Sequence, residues 1–202
     1  MTRLFTYVIT QDGGFAPNPF HGVLTLNCCK PDIRRAAQVG DWVAGNTAAN
    51  FPGGRGLLVY AMRATAKMTM SEYDAWTRQN LPEKIPDWRG PYERRAGDSA
   101  YKFETDPPSR RPSSFHDLGE RRRDLSGRFT LLSEEFYYLG GDPVEIPEHL
   151  RGIIHDRQGH RSNLNAPYVE DFANWIGTFE GGLQGMPHLA PRPVEIGRGE
   201  DR

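Results

Sequence analysis

The chain has 202 residues and a formal net charge of −1, which suits one domain of ordinary size and excludes a basic surface over the whole molecule. Hydrophobic residues make up only 37% of the chain, while 22 Gly and 16 Pro predict many turns and loops. We therefore expect one domain over residues 1–186, followed by a flexible tail over residues 187–202.

The N-terminus and the cysteines indicate the compartment. The first ten residues, MTRLFTYVIT, lack the long apolar run of a signal peptide or a membrane span. Cys28 and Cys29 are adjacent, so they are poorly placed for a disulfide with each other and too few for a zinc site. We therefore expect a cytoplasmic protein with reduced thiols, no membrane partner and no metal. No cofactor is predicted, because the common glycine-rich fingerprints are missing from the sequence.

The predicted elements begin with Leu4–Ile9, whose two faces are both largely apolar, as in a central strand. The Gly and Pro residues of Gly13–Gly22 then predict a rigid loop that carries aromatic and polar side chains. Val23–Leu26 is predicted to form a second strand. Pro31–Ala37 is predicted to form a helical turn, because proline suits the first helical position.

A tight turn at Gly40 and Asp41 is predicted to lead into a short strand, Trp42–Ala44. After a polar loop, Leu57–Met62 predicts a longer and more apolar strand. This order of turn, strand, loop and strand resembles the ligand cleft of PUA-like barrels, including the EVE type. An ordinary β-hairpin with Trp42 in the core is the alternative. The predicted fold class is α+β, with a small mixed β-barrel or a strongly twisted sheet flanked by helices.

The second half of the chain alternates helices, loops and strands. A capping pattern predicts a helix over Ser71–Gln79, and Pro, Ser and Arg predict a mobile loop over residues 105–125. The arginine run within that loop, Arg121–Arg123, indicates a solvated surface more than a phosphate clamp. Two strands are predicted next, over Phe129–Leu132 and Phe136–Leu139. Aromatic residues at helical spacing predict an amphipathic helix over residues 167–179 that packs on the sheet.

The run GFAPNPFHGVLTLNCCKPDIRRAAQVGDWVAG resembles the opening of the second nucleotide-modification-associated domain family. The similarity extends over most of residues 3–186, while the loop Thr47–Gly54 is longer than the family pattern. The matching residues of the opening are Gly14, Phe15, Ala16, Pro17, Asn18, Pro19, Phe20, Gly22, Cys29, Lys30, Pro31, Arg34, Gly40, Asp41, Trp42 and Gly45. The resemblance implies an association with DNA-base hypermodification, with a nucleotide or DNA and other proteins of a modification system as partners.

The first functional hypothesis is a nucleotide- or DNA-binding domain that recognises a modified base in a polar-aromatic cleft. Aromatic side chains would form the stacking wall, Asn18 and Asp98 would bond the base edge, and Lys30 with Arg34 would hold a phosphate. His160 and Arg161 would add base or phosphate contacts. The predicted ligand-binding residues are Asn18, Phe20, Lys30, Arg34, Trp42, Tyr60, Asp98, Tyr101, His160 and Arg161.

The alternative hypothesis is an enzyme of a base-modification pathway that acts on a nucleotide or a DNA base. Its candidate acids, bases and nucleophiles are Cys29, His21, His160 and Asp98. Structural roles also explain these residues, because Cys at a strand end is commonly a small buried hydrophobe and Asp commonly forms a turn. A third possibility is a non-catalytic subunit that docks on a modification enzyme through an apolar patch.

A geometric prediction follows from the polar loops. The loops Gly13–Gly22, Asn27–Arg35 and Gly159–Asn163 are expected to converge at one end of the sheet, beside Trp42. On this prediction, side chains from all three loops, those of Asn18, Lys30 and His160, line a common cavity.

Overall fold

A computed structural model describes residues 1–113, 115 and 118–191. The strands are β1 (Leu4–Ile9), β2 (Leu24–Leu26), β3 (Trp42–Thr47), β4 (Leu57–Arg63), β5 (Ala66–Thr69), β6 (Tyr101–Lys102), β7 (Ser109–Arg110), β8 (Phe129–Ser133), β9 (Glu135–Tyr138), β10 (Val144–Glu145) and β11 (Gly182–Leu183). The α-helices are α1 (Pro31–Ala36), α2 (Met70–Asn80), α3 (Tyr92–Arg95), α4 (Arg121–Ser126) and α5 (Val169–Ile176). Short 3₁₀ helices cover Pro82–Lys84, Leu118–Glu120, Glu148–Ile153 and Asn163–Tyr168.

Two mixed or antiparallel sheets form the framework. The main sheet has the order β1-β3-β4-β9-β11, with β10 also paired to β4, and the smaller sheet has the order β2-β8-β5. Strand β1 runs parallel to β3, whereas β3, β4 and β9 are antiparallel to their neighbours. The predicted α+β class is confirmed. Over the described part of the chain, β11 does not pair back to β1, so the strands do not form a closed barrel.

The main sheet is buried on both faces, as the apolar sequence of β1 predicts. Because strand side chains alternate between faces, Leu4 points to one side while Phe5 and Tyr7 point to the other. On the Tyr7 side, the main sheet packs against residues of the smaller sheet and of α1. On the Leu4 side lie Trp42 and the apolar stripe of α5, where Trp42 meets Phe172 edge to face at 5.7 Å.

The helix predicted over Ser71–Gln79 is present, but it begins earlier. Its capping residue is Thr69, whose hydroxyl oxygen accepts a bond from the Glu72 amide while the Glu72 carboxylate accepts one from the Thr69 amide. This reciprocal pair satisfies two amide donors that a helix start otherwise leaves free. The cap therefore precedes Ser71, and the helix covers Met70–Asn80.

Part of the segment predicted to be a mobile loop is ordered into β7 and α4. Within residues 105–125, the prediction for residues 114, 116 and 117 falls outside the described residues. The predicted flexible tail starts with contacts to the body, because the Leu189 amide donates to the Asp12 carbonyl and the Asp12 amide donates to His188 Nδ1. The rest of that tail, residues 192–202, lies outside the described residues. No helix in the described ranges is long and apolar enough to cross a membrane.

Candidate functional site

A cavity of about 580 Å³ opens beside the C-terminal end of β1. Its walls are Tyr7–Gln11, Cys29–Ile33 and Gln158–His160, completed by Ala16 and Arg123. We call it the Lys30 pocket. Two of the three loops expected to converge therefore meet here, while the third, Gly13–Gly22, contributes only Ala16.

The Lys30 side chain is brought over the pocket by an unusual backbone turn. Cys29 and Lys30 have φ angles of 56° and 36°, a left-handed conformation that non-glycine residues seldom adopt. The turn is held because the Cys29 amide donates to Asp124 Oδ1 at 2.9 Å. Lys30 Nζ then lies 4.3 Å from the centre of the Tyr7 ring and 3.5 Å from the Val8 carbonyl oxygen. Two consecutive strained residues at a pocket wall are typical of a functional site.

The positive charge of Lys30 is not neutralised by a carboxylate. In the described ranges Lys30 has no ion-pair partner, and Asp32, which shares the pocket, pairs with Arg35 instead. Burial lowers the pKa of the Lys30 ammonium; the nearby Cys29 raises it and the Arg123 guanidinium lowers it further. A partly buried cation of this kind is stabilised by a bound anion, since an anion supplies the missing opposite charge.

Cys29 presents its thiol close to a second cation. Arg123 Nη2 lies 3.8 Å from Cys29 Sγ, and Arg123 Nη1 lies 3.0 Å from Glu120 Oε2. Burial raises the pKa of the Cys29 thiol and Asp124 raises it further, although Arg123 and Lys30 act in the opposite direction. The thiol is therefore largely protonated at neutral pH, so the thiolate needed by a nucleophilic mechanism is scarce.

His160 also lines the Lys30 pocket and packs its ring on Phe5, with the centroids 5.6 Å apart. Burial lowers the pKa of the His160 imidazole, while Asp32 raises it and His155 and Lys30 lower it. At pH 7 the ring is therefore neutral, with one nitrogen to donate a hydrogen bond and one to accept.

Arg161 has a role outside the pocket. Its backbone exchanges two hydrogen bonds with Thr6, at 2.9 and 2.8 Å, and its guanidinium donates to the Gly152 carbonyl. It therefore fixes the Gln158–His160 wall against β1.

Asn18 and Phe20 do not line the Lys30 pocket, so the predicted cavity shared by Asn18, Lys30 and His160 is not formed. Asn18 is fully buried, donates to the Ala96 carbonyl at 2.8 Å and accepts from Lys84 Nζ at 2.5 Å. Phe20 is also buried and packs edge to face on Tyr92. The loop that carries them needs these side chains to satisfy and cover its own irregular backbone.

Asp98 and Tyr101 are likewise buried in polar networks away from the pocket. Asp98 accepts from Tyr73 Oη at 2.6 Å and from Thr25 Oγ1 at 2.7 Å. The Tyr101 hydroxyl donates to Asp124 Oδ2 at 2.9 Å. Neither side chain has a free group to present to a base, because each is fully enclosed by protein atoms.

Arg34 is also a buried structural residue and does not reach the pocket. Its guanidinium donates to the carbonyl oxygens of Cys29, Phe129 and Asp124, at 2.8, 2.9 and 2.5 Å. Its Nη1 also contacts Met70 Sδ at 3.4 Å, so all three guanidinium nitrogens bond to protein groups away from the pocket, which corrects the expectation that it holds a phosphate beside Lys30.

Three further predicted residues lie elsewhere. Trp42 is on the opposite face of the main sheet, so the expectation that the loops meet beside it is not met. Tyr60 lies beneath the pocket and donates from its hydroxyl to Tyr7 Oη at 2.9 Å. His21 lines a separate groove with Glu134 and residues of β9. Of the four catalytic candidates, only Cys29 and His160 share a cavity.

Sequence analysis missed several residues of the pocket wall. Tyr7 and Val8 belong to an apolar strand, so nothing in the pattern distinguished them from core residues. Arg123 belongs to a run that indicated a solvated surface. The arginine run is followed by Asp124, whose carboxylate accepts from the Cys29 amide, but nothing in the sequence links these two positions.

Fold and pocket together define an α+β domain with a cationic pocket at the edge of its main sheet. The sequence model of nucleotide modification associated domain 2 matches residues 1–192, so the chain belongs to that family. The resemblance seen in the opening of the sequence is thereby confirmed. Neither the curated proteins nor the solved structures include a significant match. The family description associates the domain with nucleotide modification.

Proposed function

We propose that this domain binds a nucleotide or a DNA base in the Lys30 pocket and recognises a hypermodified base there. The observation that carries the proposal is the Lys30 ammonium, which faces the cavity without a carboxylate partner in the described ranges. Membership of a nucleotide-modification family supports a nucleotide as the anion that completes this site.

The phosphate of the ligand is assigned to Lys30 and Arg123. Both cations line the same pocket, and both lower the pKa of the Cys29 thiol, which shows that they lie near the same group. Charge-assisted hydrogen bonds from such groups to phosphate oxygens are short and strong. Glu120 offsets part of the Arg123 charge, so Lys30 is the principal anion contact.

The base is assigned to the space between β1 and the His160 wall. A cavity of about 580 Å³ is within the range of roughly 300–1,000 Å³ that is usual for small-molecule sites. The neutral His160 ring offers both an aromatic face and a hydrogen-bonding edge to a base. Gln11 and Gln158 add polar groups at the rim, and these suit a substituent on a modified base.

The partners follow from this assignment. The ligand is a nucleotide, free or within DNA, and the domain works with other proteins of a base-modification system. The enzyme alternative retains Cys29 and His160 in the pocket, but the raised pKa of the Cys29 thiol favours binding over nucleophilic catalysis.

Replacing Lys30 with glutamine is expected to weaken oligonucleotide binding by roughly 10- to 100-fold, because hydrogen bonds to a charged group contribute about 1.5–3 kcal/mol. The measurement is a titration with short oligonucleotides that carry or lack a hypermodified pyrimidine. Lys102→Gln is the matched control, since Lys102 is exposed on β6 and should leave the affinity unchanged.

Two results would count against the proposal. Equal affinity for the modified and unmodified oligonucleotides would contradict recognition of the modification. Equal affinity of the wild type and Lys30→Gln, or no binding by the wild type, would contradict the pocket itself.

A further inference from the structure

The outer edge of β1 forms one wall of the Lys30 pocket. The inference below rests on the proposed function and concerns the part of the ligand that meets this edge. Five consecutive residues, Tyr7–Gln11, line the cavity, so the main chain contributes to the wall as well as the side chains.

Alternate residues of β1 direct their backbone groups to opposite sides. The Trp42 amide donates to the Arg3 carbonyl and the Ala48 amide donates to the Ile9 carbonyl, so the odd-numbered residues of β1 bond to β3. The even-numbered residues therefore face away from β3. Thr6 confirms this direction, because it exchanges both of its backbone hydrogen bonds with Arg161 on the outer side.

Val8 is the next even-numbered residue, and no strand pairs with it on the outer side in the described ranges. Its N–H and C=O therefore point to the pocket. The carbonyl has one long contact, 3.5 Å from Lys30 Nζ, and no acceptor within the described residues bonds the amide. Main-chain N–H and C=O groups that are unpaired at a strand edge can bond to any molecule that presents a matching acceptor and donor.

We propose that Val8 recognises the Watson–Crick edge of a single unpaired base through its main-chain N–H and C=O. That edge of every nucleobase presents a hydrogen-bond donor and an acceptor side by side. These match the C=O and the N–H that a single strand residue directs outward. Enzymes that extrude a base also contact it along this edge. Because the edge is occupied in a duplex, the ligand is a base that is unpaired, either in a free nucleotide or in a single strand.

A peptide strand is the other occupant that a sheet edge can accept, but the geometry here disfavours it. The bridge between Thr6 and Arg161 closes the edge on one side of Val8, and β1 ends at Ile9 on the other. One outward residue is too short a template for strand addition, whereas it suffices for one planar base. The Lys30 ammonium beside the Val8 carbonyl adds a charge that suits a nucleotide.

The test removes the Val8 donor without disturbing the sheet. Val8→Pro deletes an N–H that points outward, and Tyr7 before it is already extended, as proline requires of its predecessor. Val8→Ala is the matched control, because it keeps the N–H and changes only the side chain. The probe is 5-hydroxymethyl-2′-deoxyuridine 5′-monophosphate, a modified pyrimidine nucleotide, compared on the wild type with its N3-methyl derivative, which lacks the N3–H donor of the Watson–Crick edge.

We expect N3 methylation to weaken binding to the wild type by about tenfold or more, and Val8→Pro to weaken binding of the unmethylated probe similarly, with Val8→Ala within about threefold. Equal binding of both probes by the wild type would overturn the edge assignment and leave the pocket intact. Binding of neither probe would overturn the proposed function as well. If Val8→Pro does not fold, the comparison of the two probes on the wild type decides the question.

Discussion

Replacing Arg34 with methionine is expected to reduce the free energy of unfolding by about 3–5 kcal/mol. Methionine fills much of the same space, but the Cys29 and Phe129 carbonyls lose their donor, and each unpaired buried acceptor costs about 1–3 kcal/mol. The Asp124 carbonyl loses one of its two donors and keeps the Gly127 amide. The buried Asp124 carboxylate also loses a nearby positive charge, which adds to the loss. Urea unfolding followed by tryptophan fluorescence measures the difference.

The adjacent arginine supplies the control for this prediction. Arg35 is exposed and pairs with Asp32 on the helix surface, so Arg35→Met should cost less than about 1 kcal/mol. If both variants reduce the free energy of unfolding equally, the buried hydrogen bonds of the Arg34 guanidinium do not stabilise the fold as proposed.

The second large loss of stability is expected on replacing Lys84, which is fully buried. Its ammonium donates to the Asn18 carbonyl at 3.0 Å, to Asn18 Oδ1 at 2.5 Å and to the Val23 carbonyl at 2.6 Å. Burial lowers the pKa of Lys84 to about 7, whereas the nearby Asp98 raises it. A lowered pKa means that burying the charged form costs folding free energy, so the stability that Lys84 contributes through these hydrogen bonds is greatest above pH 7, where the neutral amine prevails.

Lys84→Met is expected to lose about 2 kcal/mol of stability at pH 8, because the Val23 carbonyl is left without its donor and Asn18 keeps only its bonds from the Thr25 and Phe20 amides. Thermal unfolding at that pH measures the loss. Lys102→Met, at an exposed position, should change stability by less than about 0.5 kcal/mol. An unchanged unfolding temperature for Lys84→Met would contradict the role of Lys84 in holding the Asn18 loop.

The regular elements could be predicted because their signals are local. Strand β1 covers Leu4–Ile9 as predicted, since a run with two apolar faces has few other stable arrangements. The aromatic spacing after Pro167 correctly indicated a helix on the sheet, and α5 buries Phe172 and Ile176 there. The start of α2 was misplaced because two overlapping capping patterns occur, and only the structure shows that Thr69 and Glu72 form the pair.

The candidate site could be predicted only in part, because polar residues in loops serve two purposes that look alike in a sequence. Lys30 and His160 line a cavity, whereas Asn18 and Asp98 satisfy buried groups far away in the chain. The partner of Asn18 is Lys84, 66 residues later, and no local pattern links the two. A chain rich in loops must bury many irregular backbone groups, so it uses polar side chains as internal partners.

Binding in the Lys30 pocket is tested most directly by a crystal structure of the protein soaked with 5-hydroxymethyl-2′-deoxyuridine 5′-monophosphate. We expect the phosphate to lie about 2.7–2.9 Å from Lys30 Nζ, with the base between β1 and His160. A nucleotide bound instead in the groove beneath Trp42, or an empty Lys30 pocket at saturating ligand, would contradict it.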